Sequence, residues 1–259
     1  MLDFHNHLMP GVDDGAVDVD ESRAGLKAMI AGGITGIITT PHIAASLVDR
    51  GVLNQYLEKV EIGWTALQAL VAAEFPTLKL ARGFEVMLDV PHPNLDNPLL
   101  RLAGTEFALI EFPFMNVPPN SGYALRELRD RGWIPIVAHP ERYANMESKF
   151  ELIDEWKEAG AFMQINAGSI LGQYGARAKK LAWSILESGQ ADYMCSDYHS
   201  RGNCSVAAGF AEIRRRGMDV QADELIRNAK RVVRAEKPAP VDAFSGKAPS
   251  SWKKVFPWA

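Results

Sequence analysis

Leu2-Asp3-Phe4-His5-Asn6-His7 decides how the rest of the chain is read, because a short extended run ends there on two histidines one residue apart. In an extended segment residues i and i+2 point to the same side, so both imidazoles can reach one metal ion. A lone His-x-His is a weak signal, and its weight comes from what recurs downstream. Further apolar runs bounded by turn residues lie at Gly36–Thr39, Lys79–Arg82, Ala108–Phe112, Ile134–Ala138, Phe162–Ile165 and Asp192–Cys195, and they join Leu2–His5 as predicted strands. Segments of helical period follow the runs, at Glu21–Ala31, Leu53–Ala73, Tyr123–Arg131, Phe150–Ala159 and Ala176–Glu187, then Ser205–Arg215 and Ala222–Val233. Asp20 is the expected N-cap of the first, and Gly132 and Gly160 close two others. The alternation predicts βαβ units around a parallel sheet, closed into a barrel or open and close to one.

A chain of 259 residues suits one such domain. Residues 1–236 form it on this reading. Residues 237–259 are a Pro/Ser/Lys-rich extension, either loosely packed or docked through Phe256 and Trp258. With 47% hydrophobic and 23% charged residues, the composition excludes wholesale disorder. The net charge of -4 gives no electrostatic case for nucleic acid or an anionic membrane as partner. No apolar window is long enough to predict a membrane span, and the first residues lack a signal-peptide pattern. Cys195 and Cys204 make no disulfide framework, so a reducing compartment, the cytoplasm, is expected. Whether the chain forms a homo-oligomer is open at this level.

Polar residues able to bind metal fall at or just past the predicted strand ends, where barrel enzymes place their sites. After His5 and His7 come Asp13-Asp14-Gly15, Thr40-Pro41-His42, Gly83-Phe84-Glu85, Glu111, His139-Pro140-Glu141-Arg142 and Ser196-Asp197-Tyr198-His199. Imidazole and carboxylate without thiolate suit Zn, Mn or Fe, the carboxylates favouring Mn.

At these stretches the chain resembles the PHP family of metal-dependent phosphoesterases, and within it the bacterial tyrosine phosphatases of capsule and exopolysaccharide loci. The resemblance rests on Asp3-Phe4-His5-Asn6-His7, Pro10-Gly11-Val12-Asp13-Asp14-Gly15, Thr40-Pro41-His42, Leu109-Ile110-Glu111-Phe112-Pro113, His139-Pro140-Glu141-Arg142 and Ser196-Asp197-Tyr198-His199. It implies a distorted seven-stranded β/α barrel holding three divalent ions. His5, His7, Glu85 and Asp197 would hold the first. Glu85, Glu111 and His139 would hold the second, and Asp14, His42 and His199 the third. It further implies hydrolysis of phosphotyrosine on protein, such as the tail of an autophosphorylating bacterial tyrosine kinase controlling polysaccharide export. Arg142 would contact phosphate. The alternatives are a small-molecule phosphatase, such as one acting on histidinol phosphate, and a metal-binding module without turnover.

The chain departs from the resemblance at Tyr198, where active members have alanine, and at Arg201, which is only two residues past His199 and is a candidate phosphate contact. Cys195-Ser196-Asp197-Tyr198-His199-Ser200-Arg201 also satisfies Cys-x5-Arg, the pattern of cysteine-based phosphatases. It reads as a decoy, since a phosphate cradle of backbone amides has no place for Asp197 in its middle. Asp13 is expected to brace the loop beside Asp14. His92 is expected to be a solvated loop side chain, and Arg214-Arg215-Arg216 a solvated helix end.

Overall fold

In the computed structural model the described residues are 1–49, 53–90, 92, 96–144, 146, 150–201 and 204–244; Phe256 and Trp258 lie outside them. The described strands are β1 (Leu2–Asp3), β2 (Gly36–Thr39), β3 (His42–Ala44), β4 (Lys79–Arg82), β5 (Glu85–Met87), β6 (Phe107–Glu111), β7 (Ile134–Ala138), β8 (Phe162–Asn166) and β9 (Tyr193–Cys195). The helices are α1 (Val19–Ala31), α2 (Ala45–Asp49), α3 (Leu53–Glu74), α4 (Ser121–Asp130), α5 (Glu151–Glu158), α6 (Ala167–Leu171), α7 (Gly175–Glu187), α8 (Val206–Arg215) and α9 (Asp219–Val232). Every ladder is parallel, as the βαβ pattern requires.

The ladders form two sheets, β1-β2-β4 and β3-β5-β6-β7-β8-β9, instead of one closed ring of seven strands. The expected strands Gly36–Thr39 and Lys79–Arg82 match β2 and β4, and each is followed, after a local break, by a short strand the sequence pattern did not predict, β3 or β5. Between β2 and β3 stands Pro41, which has no N–H to donate to a ladder. Between β4 and β5 stands Gly83, where a Cβ would meet the Leu102 side chain at 2.8 Å. Backbone bonds still cross both breaks, from Gly83 N to Thr39 O at 3.0 Å and from Glu85 N to Pro41 O at 3.1 Å. At the other end, Asp197 N donates to His5 O at 2.8 Å and His7 N to Tyr198 O at 2.9 Å. A single bridge, Asn6 to Tyr198, joins these stretches.

Parallel strands bury both faces, and β6 shows how. Phe107 and Leu109 pack with Phe4, Ile38, Ile136, Ala138, Tyr193 and Cys195 on one side, together with Ala229 and Val232 of α9. Ala108 and Ile110 pack on the other with helix residues including Leu125, Leu128, Trp156 and Leu181. Phe4 and Tyr193 meet edge to face at 5.1 Å, tying β1 to β9 through the first layer. Asp3 adds polar stitching, accepting from Ser196 N at 2.7 Å and from Asn6 Nδ2 at 3.1 Å.

The N-cap of α1 is Asp18, whose Oδ1 accepts from Glu21 N at 2.9 Å. Asp20, expected in that role, lies inside the first turn, where its charge complements the helix dipole. Gly132 and Gly160 adopt left-handed φ of 86° and 92°, consistent with their reading as helix terminators. Past α9 the chain stays against the body: Asn228 Nδ2 donates to Ala239 O at 2.9 Å, Ala239 N to Asn228 Oδ1 at 2.9 Å, and Phe244 N to Glu187 O at 2.9 Å.

Candidate metal centre

The chain leaves its strands at one end, and that end carries the chemistry. His5 and His7 follow β1, and their rings lie 5.5 Å apart, on the same side as the i, i+2 spacing requires. His42 opens β3, Glu85 opens β5 and Glu111 ends β6. His139 follows β7 with φ 34° and Asp197 follows β9 with φ 52°. Both sit in the left-handed region that non-glycine residues avoid, at a local cost of about 1–3 kcal/mol each that surrounding contacts must offset.

Glu85 is the hub. It is fully buried. Its Oε2 lies 3.1 Å from His5 Nε2, 3.4 Å from His7 Nε2 and 3.1 Å from His42 Nδ1, and its Oε1 lies 2.9 Å from His139 Nε2. Asp197 Oδ1 faces His5 Nε2 at 3.3 Å and His7 Nε2 at 3.4 Å. Asp14 Oδ1, more exposed, stands 3.5 Å from His42 Nε2 and 3.4 Å from His199 Nε2. Glu111 lies 3.4 Å from His42 Nδ1 and 4.0 Å from His139 Nε2.

Despite these short separations, His5 Nε2, His7 Nε2, His42 Nδ1 and Glu85 Oε2 are buried atoms without a hydrogen-bond partner. Buried polar atoms are normally satisfied, so several orphans converging on one point fit a metal, which takes lone pairs. The opposite ring nitrogens are anchored. His5 Nδ1 lies 2.7 Å from Gln164 Oε1 and His7 Nδ1 lies 2.7 Å from Asp13 Oδ2, contacts that favour the Nδ1–H tautomer of the neutral ring, the form that offers its Nε2 lone pair to a metal. Asp13 also accepts from His42 N at 3.0 Å and Gly15 N at 3.1 Å, so it braces the loop while Asp14 faces the cluster.

Charge is concentrated here. Burial works against ionising Glu85, but His5, then His139 and His7, hold its carboxyl well below the usual range. Burial likewise disfavours a charged His5, yet Glu85 and Asp197 raise its pKa to about 9. Protons therefore compete with a metal for the same nitrogens.

Among the described residues three groups could hold an ion: His5, His7, Glu85 and Asp197; His7, Asp14, His42 and His199; and His42, Glu85 and Glu111. The first coincides with the set expected from sequence, and the second adds His7. In the third His42 stands where His139 was expected, while His139 reaches Glu85 from another side.

Comparison with known proteins shows which family the chain belongs to. The family model for capsular polysaccharide synthesis, CpsB/CapC, matches residues 1–234. The chain belongs to the CpsB/CapC family. It is 32% identical over 202 residues to the tyrosine-protein phosphatase YwqE of Bacillus subtilis, covering 77% of this chain and 78% of the relative. It is also 28% identical over 207 residues to the tyrosine-protein phosphatase CpsB of Streptococcus agalactiae, covering 77% and 83%. A solved structure, from work describing YwqE and Streptococcus pneumoniae CpsB as metal-dependent tyrosine phosphatases, superposes with a TM-score of 0.79. That match has 28% identity and covers 93% of this chain and 100% of the other.

Around the cluster of this CpsB/CapC chain lies a cavity of about 320 Å³, lined among others by Asp14, Arg142, Tyr174, Asp197, His199 and Arg201. Arg142 bonds Asp197 Oδ2 through Nη1, and Arg201 Nη2 donates to Asp14 O at 3.3 Å, so both cations border the metal-ligating groups. Tyr198 is 6% exposed and packs with the core beside Gly25, and it also borders this cavity. Cys195 is fully buried, and burial pushes its thiol well up, away from thiolate chemistry. His92 is exposed and lies 3.0 Å from Glu127. Arg214, Arg215 and Arg216 pair with Asp223, Glu212 and Glu187 respectively, which neutralises that run.

Sequence reasoning passed over Gln164, Asn166 and Tyr174. Asn166 Nδ2 donates to Asp197 Oδ2 at 2.8 Å and its Oδ1 accepts from Gln164 Nε2 at 2.8 Å. Their signal was two polar residues at i and i+2 in the otherwise apolar strand Phe162-Met163-Gln164-Ile165-Asn166, a buried strand with one polar face.

Proposed function

We propose that this protein is a metal-dependent phosphatase that removes phosphate from tyrosine on protein, its substrate being the tyrosine-rich tail of a bacterial kinase that controls capsule or exopolysaccharide synthesis. The convergence of unpartnered imidazole nitrogens on the buried Glu85 carries this reading. Membership of a family whose relatives are named tyrosine-protein phosphatases supports the substrate class. No described helix is long and apolar enough to cross a membrane, and on our reading the enzyme works in the cytoplasm.

His5, His7, Glu85 and Asp197 would hold one divalent ion, Glu85, Glu111 and His139 a second, and Asp14, His42 and His199 a third, Mn being the best match to so many carboxylates. The ions would supply an activated water and neutralise charge on the phosphoryl group. The chain's own residues do the rest. Arg142 and Arg201 present guanidinium forks to the phosphate oxygens from the cavity wall. Gln164 and Asp13 fix the tautomers of His5 and His7. The phenolate leaving group, with a pKa of about 10, needs little protonation, which suits a cavity without a dedicated acid. The strand breaks at Pro41 and Gly83 would be bends in a distorted seven-stranded barrel spanning residues 1–236.

Turnover of a phosphotyrosine peptide and of histidinol phosphate by the Mn-loaded protein tests the assignment. We expect preference for the peptide; efficient hydrolysis of histidinol phosphate alone would overturn it.

A further inference from the structure

We infer that Tyr174 is a positioning residue that holds the Arg142 guanidinium in the orientation needed to receive phosphate. This inference rests on the phosphate-binding reading of Arg142. The Arg142 guanidinium carbon lies 4.3 Å from the centre of the Tyr174 ring, while its Nη1 bonds Asp197 Oδ2. The cation is thus held between an aromatic face and a carboxylate, and both border the same cavity.

The start of α7 grips Arg142 at its other end too. Arg177 Nη2 donates to Arg142 O at 3.1 Å and Arg177 Nη1 to Tyr143 O at 2.8 Å. One short segment therefore fixes both the backbone and the side chain of Arg142.

The local sequence builds the platform. Gly172 and Gly175 bracket Tyr174 with φ of 91° and 89°, a conformation that favours glycine. Gly168 leaves room for the ring, because a Cβ there would stand 2.8 Å from Tyr174 Cε2. An arginine without the ring would sample more rotamers, and ordering it on phosphate would then cost affinity.

Inorganic phosphate, which carries no ring, separates this role from direct stacking of Tyr174 on the substrate. In the metal-loaded full chain, Tyr174→Leu should weaken phosphate binding measured by calorimetry roughly 3- to 30-fold. KM for p-nitrophenyl phosphate should rise with it and kcat should change less. Tyr174→Phe, which keeps the ring face, should stay within about twofold. In an Arg142→Ala background, Tyr174→Leu should have no further effect. Unchanged phosphate affinity with a raised KM for the aryl phosphate alone would overturn the inference, as would additive losses in the double variant. Lack of aryl phosphate hydrolysis by the metal-loaded parent would defeat the phosphatase reading, whereas the phosphate titration judges Tyr174 regardless of turnover.

Discussion

Replacing Gln164 by leucine removes the acceptor behind His5 and the donor to Asn166 while keeping every ligand side chain, which makes it a probe of how the metal centre is supported. Gln164 Oε1 lies 2.7 Å from His5 Nδ1, in a fully buried setting. Without that acceptor the imidazole loses the contact that keeps its proton on Nδ1 and its Nε2 free toward Glu85 and Asp197. Loss of such a supporting partner typically costs 10- to 100-fold in metal affinity, about 1.4–2.7 kcal/mol. The variant also deprives Asn166 Oδ1 of its 2.8 Å donor, and with it the support under Asp197 Oδ2. An unpaired buried polar group costs about 1–3 kcal/mol, so the melting temperature should fall by several degrees. Titrating Mn into metal-stripped protein while following aryl phosphate hydrolysis reads the affinity, and circular dichroism confirms the fold. A folded Gln164→Leu protein with parental Mn affinity would refute the claim that Gln164 prepares His5 as a ligand.

Chelation should lower the melting temperature, and by more at pH 9 than at pH 6. His5 in the metal-free fold has its pKa raised from 6.5 to about 9, so its ion pairing stabilises that fold fully below pH 6.5 and is lost as pH rises through 9. That contribution is on the order of 3 kcal/mol, whereas metal binding strengthens over the same range as the nitrogens lose their protons. Thermal melts with and without EDTA at both pH values check this, and an equal difference at each would contradict it. Cys195→Ser should keep metal content and kcat within about twofold while costing about 1–2 kcal/mol of stability, since it places a hydroxyl in an apolar layer. Near-complete loss of activity with metal retained would instead point to cysteine chemistry.

Much of the centre was legible because ligand chemistry is confined to few residue types. His5, His7, Glu85 and Asp197 sit at strand ends in the sequence and meet in the structure, at 3.1–3.4 Å. The parallel architecture was legible for a similar reason, since β2 and β7 are apolar runs with clear borders. The short strands β3 and β5 were not, because they resume the pairing past Pro41 and Gly83, and pairing is something a single strand's pattern does not encode. Asp20 was read as a cap because side-chain type suits it, but the helix starts earlier and Asp18 takes the role. Tyr174 gave no signal at all: its partner Arg142 is distant in sequence, and only the fold brings the two together.

The central claim is that one end of this fold gathers metal ions to hydrolyse aryl phosphates. Elemental analysis of the purified protein, run beside hydrolysis of p-nitrophenyl phosphate on the same sample, tests it most directly. About three divalent ions per chain are expected, with activity that falls when the ions are removed and returns with Mn. Undiminished hydrolysis by fully stripped protein, or a full complement of ions without hydrolysis, would contradict it.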